Sequence, residues 1–256
     1  MAENTKIEWC DHTVNLWWGC TKVHAGCDHC YAETLSKRFG QDVWGNDKNR
    51  KEIASAFSDL NKFQSKAAAQ GVIKRVFVGS MMDIFERDFP AVGKYHTVTT
   101  GVLRTMMMRS IYDGRYNNLD FLLLTKRPSN IERMSRLYFD APNVMYGTSI
   151  VDQATTDTLL PHLKNVPGRR FLSIEPQLGP IDSIDLTGID WVIQGGESGP
   201  GRRPFDLAWA RDMRDRCRAA GVPYFFKQID KVRDKTEGIP ADLQIREFPP
   251  HWMKSP

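Results

Sequence analysis

The sequence predicts an α/β protein built around a parallel β-sheet, and three observations support this class. Short runs rich in β-branched and aromatic residues recur along the 256-residue chain. These runs are apolar throughout rather than alternating, which is typical of strands buried on both faces, and helical segments separate them. The alternation indicates βαβ units, in a closed or partly closed β/α barrel or in a doubly wound open sheet. The predicted strands are 72–79, 120–124, 144–147, 170–174, 189–194 and 223–226.

The helices between the strands are predicted from their apolar spacing and their terminal residues. Gly40 and Gly71 stand where helix C-caps are expected. The predicted helices are 31–39, 52–70, about 89–111, 128–139, 153–163 and 205–219.

Composition narrows the class of protein. The chain has 35 Lys and Arg against 31 Asp and Glu, and the formal charge of +4 is too small to indicate a polybasic tail or a membrane-surface patch. The first residues are polar, and apolar runs such as 121–124 are far shorter than the ~20 residues of a membrane span. With no repeat or long linker, we expect a single soluble cytoplasmic domain without a membrane partner, whose cysteines are reduced.

Polar residues follow each predicted strand. In parallel β/α folds the edge formed by the C-terminal ends of the strands carries the active site. The alternative is that these residues are polar only because loops after buried strands are solvated. Because Lys, Glu and Asp recur here in place of Gly-Asn turns, we favour a site. The residues are Ser80, Asp83, Thr125, Lys126, Arg127, Thr148, Ser149, Asp152, Glu175, Gly195, Gly196, Glu197, Ser198, Lys227 and Gln228.

Four of the five cysteines lie in the first thirty residues. Cys20, Cys27 and Cys30 form a Cys-x6-Cys-x2-Cys motif in which nearby glycines allow sharp turns. In a reducing compartment such thiolates select zinc, copper(I) or an iron–sulfur cluster. A structural zinc site needs a fourth ligand, which Cys10, His24 or His29 could supply, whereas three ligands on a 4Fe-4S cluster leave one iron open.

Several blocks in one order resemble a known family. They resemble the cluster loop and strand-end segments of phage-associated short radical S-adenosylmethionine (SAM) proteins, a three-cysteine branch of the radical SAM superfamily. The blocks are 5–9, 18–23, 27–33, 75–83, 124–128, 146–153, 170–176, 190–201 and 222–228.

The resemblance implies a partial parallel β/α barrel of about six strands. It divides the single domain, 1–256, into a cluster loop at 17–33, a barrel at about 34–230 and a C-terminal extension at 231–256. Cys20, Cys27 and Cys30 would bind a 4Fe-4S cluster whose open iron binds SAM. An electron from the cluster would cleave SAM to a 5′-deoxyadenosyl radical, which abstracts hydrogen from a substrate. Cys10 is expected not to be a ligand, and Cys217 to be an ordinary buried thiol.

The resemblance also implies roles for the strand-end residues. The SAM-binding positions would be His29 near the adenine, Ser80 and Asp83 at the amino group, Thr148 and Ser149 at the ribose, and Gly195 and Gly196 beside the adenine. Lys126, Glu175, Glu197 and Lys227 are candidates to hold a polar or anionic substrate or to act as acid or base. The alternative is that they form ion pairs, Lys126 with Glu175 or Lys227 with Glu197.

The expected substrate is a nucleotide or an amino-acid-modified thymine in phage DNA hypermodification, with an isomerase-type rearrangement in the host cytoplasm. A flavodoxin- or ferredoxin-type protein would supply the electron. Arg202 and Arg203 follow a glycine-rich turn and are candidates to bind phosphate. Two alternatives stay open: a zinc-stabilised nucleic-acid-binding protein without redox chemistry, and a degenerate barrel that keeps the cluster but does not cleave SAM.

Overall fold

A computed structural model describes residues 2–230 and 236–252 of the chain. The strands are β1 (Ala2–Glu3), β2 (His12–Val14), β3 (Trp17–Trp18), β4 (Arg50–Glu52), β5 (Lys74–Val78), β6 (Pro90–Val92), β7 (Thr97–Thr99), β8 (Leu119–Thr125), β9 (Val144–Ser149), β10 (Arg169–Ile174), β11 (Trp191–Gly195) and β12 (Tyr224–Gln228). The α-helices are α1 (Tyr31–Arg38), α2 (Ala56–Gln70), α3 (Thr100–Tyr112), α4 (Ile131–Ser135), α5 (Gln153–Lys164) and α6 (Leu207–Ala220).

The chain divides into two compact units. Of the described residues, one unit contains those up to Val23 together with Cys30–Met145, and the other contains His24–His29 together with those from Tyr146 on. The boundary therefore falls within the segment that carries the three clustered cysteines. The prediction of one domain stays a prediction, because compact units of this kind also occur inside single domains.

In the first unit, β1, β2, β5 and β8 are neighbours in that order. β2 and β8 both pair with β5 in parallel, and β1 pairs antiparallel with β2. The central strands carry fully buried side chains such as Val76, Val78 and Leu122. A second sheet contains β3, β4, β6 and β7, in that order.

In the second unit, β9, β10, β11 and β12 are neighbours in that order, and β11 pairs in parallel with both β10 and β12. Trp191 lies fully buried in β11, where Phe171 and Phe225 pack around it. The polar side chains in this core are bonded to one another: Tyr224 donates to Gln194, and Gln194 donates to Gln177. Buried polar groups satisfied in this way fix the strands in one register.

The predicted fold class is confirmed: the structure is α/β, and its seven parallel strands are consistent with a partial barrel. All six predicted strands are present as β5 and β8 to β12. The additional parallel strand is β2, at His12–Val14.

Two predicted helices begin later than their apolar spacing suggested. The helix predicted at about 89–111 begins at Thr100, because 90–92 and 97–99 form the antiparallel β6–β7 pair. Thr99 sets the new boundary, since its Oγ1 accepts a hydrogen bond from the Val102 amide at 3.2 Å. The helix predicted at 52–70 begins at Ala56, because Arg50–Glu52 is a strand.

The predicted C-terminal extension, 231–256, is only partly described. Residues 231–235 and 253–256 lie outside the described residues. Between them, Phe225 in β12 forms an antiparallel bridge with Arg246, so this segment adds to the β12 edge. Across the part of the chain that the structure describes, none of the helices has the length and apolar character that a membrane span requires.

Candidate functional site

The structure places the strand-end residues where the sequence predicted them. Each lies in the last residues of a parallel strand or in the loop that follows it. In the first unit, Ser80 and Asp83 follow β5, and Lys126 follows β8. In the second unit, the corresponding residues are Thr148 and Ser149 in β9, Glu175 after β10, Gly195 to Glu197 at the end of β11, and Lys227 in β12.

Residues 20–30 form what we call the cysteine loop. Its three thiols are free, and each is partly exposed. Cys20 and Cys30 belong to the first unit and Cys27 to the second. Gly19, just before the loop, has a φ of 118°, and a Cβ there would lie 2.3 Å from the Val43 carbonyl oxygen. Only glycine fits at this position, so Gly19 determines the backbone conformation at the start of the cysteine loop.

In the first unit, Arg127 binds the beginning of the cysteine loop. Its Nη2 donates to the carbonyl oxygen of Thr21 at 2.7 Å and also to the Thr21 hydroxyl. Its Nη1 lies 3.7 Å from Cys20 Sγ and donates to Asp83 at 2.7 Å. One guanidinium group therefore joins the first cysteine to the β5 strand end.

Asp83 is buried, and both of its carboxylate oxygens have donors. Oδ1 accepts from the Thr125 hydroxyl at 2.7 Å and from the Phe85 amide at 2.9 Å. Oδ2 accepts from Arg127 and, at 3.1 Å, from the Lys126 amide. The carboxylate thus connects the ends of β5 and β8, while its predicted contact with the SAM amino group stays a prediction.

The surroundings of Cys20 perturb two ionisable groups. Burial, together with the charges of Asp83 and Glu86, raises the pKa of the Cys20 thiol to about 12, although Arg127 acts in the opposite direction. Burial disfavours the Arg127 cation, but Asp83 and Cys20 outweigh it and raise the pKa of Arg127. The Cys20 thiol is therefore harder to ionise than an exposed thiol.

Ser80 belongs to the same strand end. Its hydroxyl accepts from Asn15 Nδ2 at 2.9 Å, and its carbonyl oxygen accepts from the Tyr31 hydroxyl at 2.7 Å. The buried Asn15 side chain also accepts from the Met81 amide at 2.7 Å. These bonds fix the β5 end against β2 and against the first turn of α1, which starts directly after Cys30.

In the second unit, Glu197 is the centre of a corresponding network. Arg203 donates to Glu197 Oε2 from Nε at 3.0 Å and to Oε1 from Nη2 at 2.6 Å, and its amide adds a 2.9 Å bond. His29 Nδ1 lies 3.0 Å from Glu197 Oε2. Burial of Glu197 opposes ionisation, but the bonds from Arg203 and His29 dominate and lower the pKa of Glu197.

Arg203 also binds the middle of the cysteine loop. Its Nη2 donates to the Ala25 carbonyl oxygen at 3.0 Å, and its Nη1 lies 3.6 Å from an Asp28 carboxylate oxygen. A 3₁₀ turn at Ala25–Cys27 precedes Asp28, and the His24 ring caps it by accepting from the Gly26 amide at 3.1 Å. Arg203 and Glu197 therefore hold both sides of Cys27.

Glu175 and Lys227 form an ion pair, with Oε1 2.8 Å from Nζ and side-chain exposures of 14% and 25%. This pairing differs from the two alternatives that the sequence suggested. Glu197 binds Arg203, six residues further along the same loop, and Glu175 after β10 binds Lys227 in β12. The sequence alone does not indicate which of these groups pair.

The remaining predicted positions are backbone and hydroxyl groups of the second unit. A Cβ on Gly195 would lie 3.1 Å from Glu175 Oε1, and one on Gly196 would lie 2.8 Å from the Asp230 amide nitrogen. Both glycines thus allow close packing of β11 on its neighbours. Thr148 and Ser149 are buried in β9. Their predicted SAM contacts, and that of His29, stay predictions.

The chemistry of the cysteine donors fits a thiolate-bound cluster, because three free thiols within eleven residues form a soft donor set without a disulfide. Within residues 2–230 and 236–252, no three His, Cys, Asp or Glu side chains are grouped closely enough to hold a metal ion. Cys10 lies in the core, with its Sγ 3.8 Å from the Ile7 carbonyl oxygen. Neither observation distinguishes a zinc site from an iron–sulfur cluster, so metal content decides between the two hypotheses.

Sequence reasoning missed two loop-binding arginines. The sequence predicts Arg127 only as a strand-end residue, and Arg203 only as a candidate phosphate ligand. Arg202, the other phosphate candidate, donates from Nε to the Asp230 carbonyl oxygen. The available signal was an arginine at one predicted strand end and a carboxylate at another. The sequence does not indicate that Arg127 contacts Thr21, because the two residues are 106 positions apart.

The fold and these residues define an α/β protein with polar residues at the ends of its parallel strands and a three-cysteine loop. The chain belongs to the family described as "Protein of unknown function (DUF5131)", whose model matches residues 4–248. No curated protein sequence is significantly similar to this chain. The narrower resemblance to phage-associated short radical SAM proteins stays a prediction.

One similar solved structure is a double mutant of spore photoproduct lyase with bound AdoMet and the dinucleoside spore photoproduct. Its sequence is 13% identical, and the TM-score is 0.48. The aligned region covers 83% of this chain but only 62% of the lyase chain, so this chain spans less than two thirds of that protein.

Proposed function

We propose that this protein is a radical SAM enzyme whose cluster ligands are Cys20, Cys27 and Cys30. The observation that carries the proposal is the cysteine loop: three free, partly exposed thiols in a segment bound by two buried carboxylate–arginine pairs. Three cysteines on a cubane cluster leave one iron for another ligand, which a closed structural zinc site does not.

When bound, the cluster and SAM supply a 5′-deoxyadenosyl radical that removes a hydrogen atom from the substrate. The chain's own contribution is positioning and exclusion of water. Arg127 and Asp83 fix the Cys20 end of the loop, and Arg203 and Glu197 fix the segment around Cys27. For SAM contacts we propose His29, Ser80, Asp83, Thr148, Ser149, Gly195 and Gly196.

For the substrate we propose a nucleotide or an amino-acid-modified thymine in DNA, rearranged in an isomerase-type reaction. The support is chemical: Lys126 is a cation at the end of β8, and the Glu175–Lys227 pair has an ammonium and a carboxylate that a substrate with an amine and a carboxylate or phosphate would share. A flavodoxin- or ferredoxin-type donor would supply the electron.

Metal analysis tests the cluster. We expect anaerobic reconstitution with iron and sulfide to give about four irons per chain. Single Cys→Ala substitutions at positions 20, 27 and 30 should each reduce iron content severalfold. Matched variants at Cys10 and Cys217, which lie in the core, should keep the wild-type content. Stoichiometric zinc without iron would overturn the proposal and favour the zinc-stabilised nucleic-acid-binding protein.

Product analysis tests the reaction. The reduced, iron-loaded protein should convert SAM to 5′-deoxyadenosine, detected by mass spectrometry, and the Cys27→Ala protein should not. Deuterium transfer from a labelled nucleotide or thymine derivative into 5′-deoxyadenosine would identify the substrate position. A loaded protein that makes no 5′-deoxyadenosine with any candidate substrate would overturn the enzyme assignment in favour of a degenerate barrel.

A further inference from the structure

Arg127 has an unusual set of partners for an arginine at a strand end. Its three bonded groups, Asp83, the Thr21 carbonyl and the Thr21 hydroxyl, occupy its donors on two sides. Its Nη1 is in addition 3.7 Å from Cys20 Sγ, within the range of an N–H···S hydrogen bond. The side chain is 12% exposed, so water competes little for these donors.

The other end of this network is held by several hydrogen bonds. Asp83 accepts from the Thr125 hydroxyl and from the Phe85 and Lys126 amides, so its carboxylate is bound to the ends of β5 and β8. Because Asp83 is bound to the ends of β5 and β8, Arg127 fixes Cys20 relative to these two strand ends. The planar guanidinium fork suits this task, because it offers fixed donor directions that a lysine lacks.

Cys20 is also fixed through its backbone. Its carbonyl oxygen accepts from the Gly45 amide at 3.0 Å, and the preceding residue, Gly19, donates from its amide to the Met81 carbonyl oxygen at 3.1 Å. The hydrogen-exchange rates of the Gly45 and Gly19 amides therefore report whether the backbone around Cys20 keeps its position.

We propose that Arg127 is the positioning residue of Cys20, holding its sulfur by an N–H···S bond and its loop through Thr21. The inference rests on the proposed function where it concerns the cluster. Hydrogen bonds to cluster sulfurs set the reduction potential, and a donor that stabilises the added negative charge raises it. Arg127 would thus fix the position of one cysteine ligand and raise the reduction potential of the cluster that the three cysteines would hold.

The test uses the 256-residue chain with Arg127→Met and Arg127→Lys, and with Arg133→Gln as the control. Arg133 is an exposed residue of α4 in the same unit, six positions after Arg127, and it takes no part in the bonds described above. Hydrogen–deuterium exchange of the metal-free protein should become severalfold faster at Gly45 and Gly19 in Arg127→Met, and remain at the wild-type rate in Arg133→Gln. Arg127→Lys should keep the charge but still speed exchange, because it lacks the fork.

In the iron-loaded protein, the reduction potential should shift to a more negative value in both Arg127 variants, measured by spectroelectrochemical titration. Wild-type exchange at Gly45 together with a wild-type potential would overturn the inference. If the wild-type protein takes up no iron, the proposed function fails, whereas the exchange measurement still decides the role of Arg127. If Arg127→Met does not fold, the exchange rates and the reduction potential of the Arg127→Lys protein decide the inference.

Discussion

Arg203 binds both carboxylate oxygens of Glu197 in a two-point contact, and its Nη2 also binds the Ala25 carbonyl oxygen of the cysteine loop. Glu197 is only 6% exposed, so an uncompensated negative charge there would be costly. Because the arginine satisfies both oxygens, Glu197 serves first to orient Arg203 and His29. A substrate that contacts Glu197 would have to share it with these two side chains.

We expect Arg203→Gln to loosen the loop around Cys27. The Cys27 amide donates to the His24 carbonyl oxygen at 2.8 Å, and its exchange rate should rise severalfold when the Ala25 and Asp28 contacts are lost. Iron uptake on reconstitution should fall in the same variant. Arg202→Gln is the matched control, since Arg202 contacts Asp230 rather than the loop. Equal effects of the two substitutions would contradict a loop-specific role for Arg203.

A double-mutant cycle tests the Lys227–Glu175 pair. Both side chains are mostly buried, so Lys227→Met and Glu175→Gln should each lower the free energy of unfolding, and the double variant should lose less than their sum. We expect a coupling of about 1 kcal/mol from urea denaturation. The Lys48–Asp42 pair, with Asp42 73% exposed, is the comparison and should show no measurable coupling. Additive losses at 227 and 175 would mean that these groups do not stabilise each other.

The sequence predicted the strands whose physical signal is strongest. β8 and β11 are apolar on both faces, and such runs can be recognised without any knowledge of their neighbours. β2 was missed because two of its three residues, His12 and Thr13, are polar, and its burial comes from pairing with β5. The β6–β7 pair was missed because its residues continue into a helix with a similar apolar content.

The positions of the site residues were predictable, but their partners were not. A polar residue after a buried strand has to lie at the strand end, which fixes the place of Glu175, Glu197 and Lys227. Which base binds which carboxylate depends on strand order and on loop conformation, so Glu197 binds Arg203 and leaves Lys227 to Glu175. Composition contains no information on that choice.

The Asp11–Arg75 pair predicts how stability depends on pH. Asp11 Oδ2 accepts from the Arg75 amide at 2.8 Å and from its Nε at 3.0 Å. Burial opposes ionisation, but the bonds from Arg75 prevail and lower the pKa of Asp11. A lowered carboxyl pKa adds stability above the unfolded-state pKa of about 4, and that stability is lost as the pH falls through the folded-state value.

Asp11→Asn should therefore be less stable than the wild type by a constant amount between about pH 6 and 8, and the difference should shrink in acid below about pH 4. Urea denaturation over this pH range measures it. Asp140→Asn, at an exposed position of the same unit, should show no such pattern. A difference that is unchanged in acid would show that the amide perturbs packing rather than an ion pair.

The strongest effect on stability is expected at Arg50 and Glu86, which are 0% and 1% exposed and bind each other at 2.7 and 3.1 Å. Arg50 also donates to the carbonyl oxygens of Val43, Gly45 and Lys48, just where Gly45 supports Cys20. Arg50→Met should lower the free energy of unfolding by about 3–5 kcal/mol, because it leaves a buried carboxylate without its partner.

Glu86→Gln should cost less than Arg50→Met, since the amide oxygen still accepts from Arg50 and the three carbonyls keep their donor. The Arg50→Met, Glu86→Leu double variant should recover little, because those carbonyls stay without the guanidinium. Chemical denaturation gives the ranking, and exchange at Gly45 shows whether the loss reaches the cysteine loop. A double variant as stable as the wild type would mean that the ion pair, and not the carbonyl contacts, determines the cost.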